Sequence, residues 1–220
     1  MKICVVTQNL TEAGSSLPPC DIAILSSHLL GEVSYENEIA GKTAKFDSLA
    51  HLSRRQGCAY VAGCRTVGGG LVRYSAAVAD GGKLLGVADC CHIFDSQTYK
   101  SGAGLGLYPL HGIKTGICLE GDFYYPECVQ SLCLCGAQLL VGIWERQSDT
   151  MVPLLMRAYA YLYGVPFVAV AGKTAYFADI TGGMAASPLP VTLFETVPRN
   201  EYRVVTTRRK GLSAPTCEDY

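Results

Sequence analysis

Apolar residues in this chain come in short continuous runs, with few long amphipathic stripes. Lys2 to Thr7 and Asp21 to Ser26 are Ile, Val, Ala, Leu and Cys between polar ends. Such runs predict strands buried on both faces. Between them, Thr11 to Pro19 is rich in Gly, Ser and Pro and reads as a loop. Phe46, Leu49, Ala50 and Leu52, followed by Gly57, predict a helix over 46–56. Strands are predicted over 59–65 and 71–79, and the Asp80-Gly81-Gly82 turn leads into another over 83–87 as a hairpin. Then come a strand over 113–118, a helix over 126–135, a strand over 138–143, a helix over 149–163 and a strand over 167–171. Short β segments are expected over 176–180 and 202–207. Helices interleaved with buried strands imply a layered α/β fold whose hairpins make the sheets mixed. No repeat or linker interrupts the pattern, so one domain over residues 1–220 is expected.

Composition narrows the function. With 49% hydrophobic and 17% charged residues and a net charge of −1, the 220-residue chain reads as globular. It has no overall field to attract nucleic acid or an anionic membrane. The basic cluster Arg208-Arg209-Lys210 reads as a solvated tail. No apolar run is long enough for a membrane span, and the start is too strand-like for a secretory signal. Eleven cysteines are an odd count in a chain of this size and fit reduced thiols in a cytoplasmic protein. The tight clusters Cys90-Cys91-His92 and Cys133-Leu134-Cys135 lack the paired CxxC spacing of zinc sites, so no metal or cofactor is expected. Cys128, Cys133 and Cys135 fall in an apolar helical pattern, where cysteine behaves as a small hydrophobe.

Three further features have structural readings. Gly68-Gly69-Gly70 lacks the lysine of a phosphate loop and reads as a turn. Tyr159, Tyr161 and Tyr163, every second residue of a helix, spread around the cylinder and suit core and subunit-interface packing. His28 and His92 read first as ordinary polar residues with local hydrogen bonds.

The chemistry concentrates at Gly116-Ile117-Cys118, a strand ending in a thiol. A polar elbow and a proline-led helix at Pro126 follow. A strand end fixes a nucleophile, and a helix N-terminus lowers a thiol's pKa.

The order of these elements, together with their residues, resembles the nitrilase superfamily of carbon–nitrogen hydrolases. The likeness runs through Asp21-Ile22-Ala23-Ile24-Leu25, the Asp80-Gly81-Gly82-Lys83 hairpin and His92-Ile93-Phe94-Asp95 with Tyr99 and Gly102. It continues through the Cys118 elbow with Pro126-Glu127 and through Arg157-Ala158-Tyr159-Ala160. The resemblance implies a four-layer α-β-β-α sandwich, assembly as a homodimer, a small amide-like substrate and a Glu–Lys–Cys triad. In that triad the glutamate activates the thiol and the lysine stabilises the oxyanion.

Only Cys118 matches the triad. Ser27 stands at the family's glutamate and Cys90 at its lysine, Leu162-Tyr163 replace a later Glu-Asn, and the N-terminus is shortened by a missing first long helix. A serine is no base near neutral pH and a cysteine is no permanent cation. His28, His92, Glu120 and Asp122 are the nearby groups able to substitute; Cys90 and His92 share a side if 90–92 is extended. Two functions remain. One is an atypical thiol hydrolase of a small amide or related C–N bond through Cys118. The other is a catalytically silent relative that binds a small molecule or a protein partner.

Overall fold

A computed structural model describes residues 1–8, 17–145 and 150–202. All but Tyr202 of the strand predicted over 202–207, residues 11–16 of the loop predicted over 11–19, and the basic cluster at 208–210 lie outside the described residues.

Two sheets form. The first carries β1 (Lys2–Val6), β2 (Ile22–Leu25), β3 (Glu32–Ser34), β4 (Ala59–Gly68), β5 (Leu71–Asp80), β6 (Lys83–Asp89) and β13 (Val191–Glu195). Its order is β13-β1-β2-β4-β5-β6, with β3 beside β4. The second runs β12-β11-β10-β9-β8-β7. It is built from β7 (Gly106–Leu110), β8 (Ile113–Leu119), β9 (Leu139–Trp144), β10 (Phe167–Ala171), β11 (Thr174–Ala178) and β12 (Met184–Ser187). Central neighbours β1/β2/β4 and β8/β9/β10 are parallel, as is the short β3 beside β4, and the remaining pairs are antiparallel. The sheets are therefore mixed, as expected. The continuous apolar runs are these central parallel strands, which need cover on both faces.

Between the sheets, Ile3, Val5, Ile24 and Val61 meet Ile117, Leu119, Val141 and Val168. Outside the first sheet, Phe46 and Leu49 of a helix at Lys45–Gln56 cover Cys4, Ala23, Tyr60 and Ala62. Outside the second, helices at Pro126–Leu134 and Met151–Tyr163 cover Cys118, Leu140, Phe167 and Ala169. Three apolar seams thus hold four layers, α-β-β-α. Short helices at Ser27–Leu30 and Tyr35–Ile39 precede these three. In chain order the helices are α1 (Ser27–Leu30), α2 (Tyr35–Ile39), α3 (Lys45–Gln56), α4 (Pro126–Leu134) and α5 (Met151–Tyr163).

The predicted elements shift where local chemistry sets their ends. Helix α3 stops at Gly57, which takes the left-handed conformation (φ 61°) that glycine adopts without strain. The strand predicted over 176–180 runs over Thr174–Ala178, because the Asp179 carboxylate takes the N–H groups of Thr181 and Gly183 and ends it. Strands β3, β7, β12 and β13 and helices α1 and α2 were not predicted; all are short, and for the strands sheet partners rather than pattern define them. Tyr159 and Tyr163 are buried and stacked, 5.8 Å between centroids, whereas Tyr161 is exposed. Among the described residues, no helix is long and apolar enough to cross a membrane.

Candidate pocket at the elbow after β8

Strand β8 continues one residue past its predicted end, to Leu119. Alternation then decides which way each side chain points. Ile117 and Leu119 enter the seam between the sheets, and Cys118 enters the seam beneath α4 and α5. Cys118 pairs with Gly142 of β9, and the Phe123 ring packs where a side chain at 142 would stand. The thiol has no exposed surface. Burial, followed by the negative charge of Asp122, pushes it well above the ordinary thiol range.

The elbow itself is Glu120. It opens the 3-10 turn Glu120–Tyr124 with φ 28°, a left-handed value uncommon for a residue with a Cβ. Gly121 follows because nothing larger fits: a Cβ there would stand 1.5 Å from the His92 carbonyl oxygen. The turn is thereby pressed against the segment leaving β6.

A cavity of about 260 Å³ opens over this elbow, and Cys90, His92, Glu120 and Glu145 are on its wall. Tyr74, Tyr99 and Phe94 supply aromatic surface. Among the described residues, no lysine or arginine lines it. The Cys90 thiol donates to the carbonyls of His92 (3.2 Å) and Leu119 (3.3 Å), and burial together with the Asp122 charge pushes it up to about 12. It is a neutral, tied thiol at the place where the resemblance implied a cation.

Ser27 is buried at the start of α1, admitted by the bare Cα of Gly63, whose Cβ would meet Ser27 Cα at 2.8 Å. Its hydroxyl stands beside Tyr74 without closing a bond of normal geometry, and the Tyr74 phenol oxygen is buried with no hydrogen-bond partner. Leaving such a group unsatisfied costs about 1–3 kcal/mol. Burial and then the charges of Glu120 and Glu145 raise the Tyr74 phenol well above its ordinary range. Tyr99 Oη donates to Glu145 Oε2 at 3.2 Å. His28 is exposed, 3.3 Å from Ser26 Oγ, and is not among the residues that line the cavity.

His92 and Asp122 form a linked pair. Asp122 Oδ1 accepts the N–H groups of Cys91 (3.1 Å) and His92 (2.9 Å) and stands 3.0 Å from His92 Nδ1. The carboxyl is raised from its ordinary value by burial, against the lowering effect of these donors. Cys128 Sγ lies 3.4 Å from the same Nδ1, and the His92 ring stacks on Tyr125 at 3.8 Å. Because thiol and carboxylate meet one ring nitrogen, the three do not form a relay in which each partner takes a different nitrogen. Their three donor atoms do converge within 4.8 Å, the one such group able to hold a metal ion among the described residues.

Cys90, His92 and Glu120 are thus brought to one cavity, Ser27 lies behind Tyr74, and Cys118 faces the opposite side of its strand. Sequence reasoning missed Tyr74, Tyr99 and Glu145. One signal was available: Glu120 and Glu145 are each the first residue beyond a parallel strand, and ligands in α/β sheets bind at the carboxyl ends of such strands.

The fold is shared with solved amidases, one of them described as a nitrilase-superfamily member. Solved structures with the same fold include the amidase of Nesterenkonia sp. AN1 with acrylamide added at its active-site cysteine (TM-score 0.69, 15% identity, 96% of this chain and 98% of that one). A cysteine-to-serine mutant of that amidase, described as a nitrilase-superfamily member, gives TM-score 0.68 at 15% identity over 96% of both chains. A cysteine-to-alanine mutant holding butyramide gives 0.68 at 15% identity, over 96% of this chain and 95% of that one. No family model and no curated protein matches the chain by sequence. The shared property is therefore the fold.

Proposed function

We propose that this chain is a hydrolase-fold protein without thiol hydrolase activity, which binds a small molecule in the cavity above Glu120. One observation carries the reading: the sulfur of Cys118 is sealed beneath α4 and α5, while the cavity is bordered by Glu120 and Glu145. A thiol attacks as thiolate, and burial stabilises the neutral form instead. The thiol on the cavity wall, Cys90, is also held neutral and is committed to two carbonyls. Neither Ser27 nor Cys90 can serve as the base and the cation of a triad. The butyramide complex of the structurally similar amidase supports a small amide-sized ligand. The cavity is smaller than a drug-sized site, which favours a compact ligand.

The test is iodoacetamide alkylation of the folded protein, read thiol by thiol by mass spectrometry across pH, beside ammonia release from short aliphatic amides. Cys118 is expected to stay unlabelled until the protein unfolds, with no ammonia released. Rapid labelling of Cys118 with an apparent pKa below that of a free thiol, and amide hydrolysis lost in Cys118→Ala, would establish the hydrolase instead.

A further inference from the structure

We propose that His92, Asp122 and Cys128 form a binding site for a divalent metal ion of the zinc type. The imidazole Nδ1, a carboxylate oxygen and the thiolate take three corners of a tetrahedron, and water takes the fourth.

The geometry comes first. Nitrogen, oxygen and sulfur ligands at tetrahedral zinc stand roughly 3.3–3.7 Å apart, given metal–ligand lengths of about 2.0–2.3 Å. Here Nδ1 and Oδ1 are 3.0 Å apart, Sγ and Nδ1 are 3.4 Å apart, and all three donors lie within 4.8 Å. Small side-chain adjustments separate this from a bound site. The donors arrive from three places: the segment after β6, the 3-10 turn and the first turn of α4. They meet because Gly121 lets the turn lie against the His92 carbonyl.

Charge points the same way. Asp122 is buried, and in the described structure its carboxylate meets only amide N–H groups and the His92 ring. A dication with one carboxylate, one thiolate and a neutral imidazole has no net charge, which suits a buried site. The N–H groups of Cys91 and His92 already orient the carboxylate, the support that metal sites draw from surrounding hydrogen bonds. Without an ion, the Cys128 side chain is a thiol that carries its proton. Metal entry expels that proton to solvent as the metal–sulfur bond forms, and the Nδ1 lone pair is freed by placing the ring proton on Nε2. Three protein ligands with an open position distinguish such a site from a closed structural one. His92 also borders the cavity, so ion and cavity share one side chain. The inference does not rest on the binding reading given above.

Cobalt(II) titration of the reduced, chelator-treated full chain tests it. One equivalent is expected to give tetrahedral visible bands with a thiolate-to-cobalt charge-transfer band, all displaced by zinc. Cys128→Ser should remove the charge-transfer band, and His92→Gln should weaken binding by more than about tenfold. Cys20→Ser, which disrupts the separate Cys20–Cys58 thiol pair, should leave the spectrum unchanged. Zinc K-edge absorption of the wild-type protein needs no variant that might misfold, and should show one sulfur among nitrogen and oxygen neighbours. Absence of tetrahedral bands, their survival in Cys128→Ser, or a shell of several sulfurs would each overturn the site.

Discussion

The contact between Gly121 and His92 gives the sharpest quantitative expectation. In Gly121→Ala the new Cβ would stand 1.5 Å from His92 O and 2.6 Å from His92 C. Both are backbone atoms, so no rotamer change relieves the clash. To reach 3.0 Å, below which real Cβ contacts essentially do not occur, the carbonyl must move by about 1.5 Å. The same short segment donates the N–H groups of Cys91 and His92 to Asp122. A displacement of that size breaks at least one of these bonds, and hydrogen bonds to charged groups contribute about 1.5–3 kcal/mol each. Overpacking adds about 1–3 kcal/mol. Allowing for relaxation, a destabilisation of about 3–5 kcal/mol is expected, a large part of the 5–15 kcal/mol typical of a domain. At about 2–4 °C per kcal/mol for a chain of this size, Tm should fall by roughly 10 °C. Gly112→Ala is the control: it also changes a glycine at positive φ (76°), but its Cβ meets open space, so only about 1–2 kcal/mol is expected. Urea unfolding of both variants decides the matter. Equal losses in the two would mean that the segment after β6 is not locked onto the elbow, and the account of the cavity wall would fail.

Two further outcomes follow from titration. Asp122 has a folded pKa raised by burial, so its contribution to stability is fully present below its unfolded pKa and is lost as pH rises through the folded value. The stability of wild type relative to Asp122→Asn, taken from urea midpoints, should therefore fall as pH rises from about 4; a rising difference would contradict the assignment. Cys20 is partly exposed, and hydrogen bonds from the thiols of Cys4 and Cys58, the latter with its Sγ 3.2 Å away, hold its pKa below the ordinary thiol range. Cys20 should be alkylated at a lower pH than the other thiols, and Cys58→Ser should shift its rate profile to higher pH. A rate profile that coincides with that of a free thiol, or one unchanged in Cys58→Ser, would show that the thiolate is not stabilised.

The sequence by itself determined the scaffold. Runs such as Ile22–Leu25 and Phe167–Ala171 are apolar on both faces, which only central strands with cover on either side can satisfy, and the helices between them had to supply that cover. The fit of Asp80-Gly81-Gly82 to a hairpin was likewise local chemistry, legible residue by residue. What the sequence left open was direction. The end of β8, Gly116–Leu119, carries no polar alternation and is buried on both faces, so nothing there says which seam receives Cys118, or whether the turn begins at the thiol or two residues later. The tertiary structure decided both. Ile117 and Leu119 were claimed by the seam between the sheets, which left Cys118 to the helices and put Glu120, at φ 28°, on the elbow. The same holds for the groups that meet there. Tyr74, His92, Asp122, Cys128 and Glu145 are distant in sequence, and strand register together with the bare Cα of Gly121 brings them to one end of the sheets. Periodicity records which residues avoid water. Which of them share a site depends on contacts made across the chain, and no local pattern encodes those.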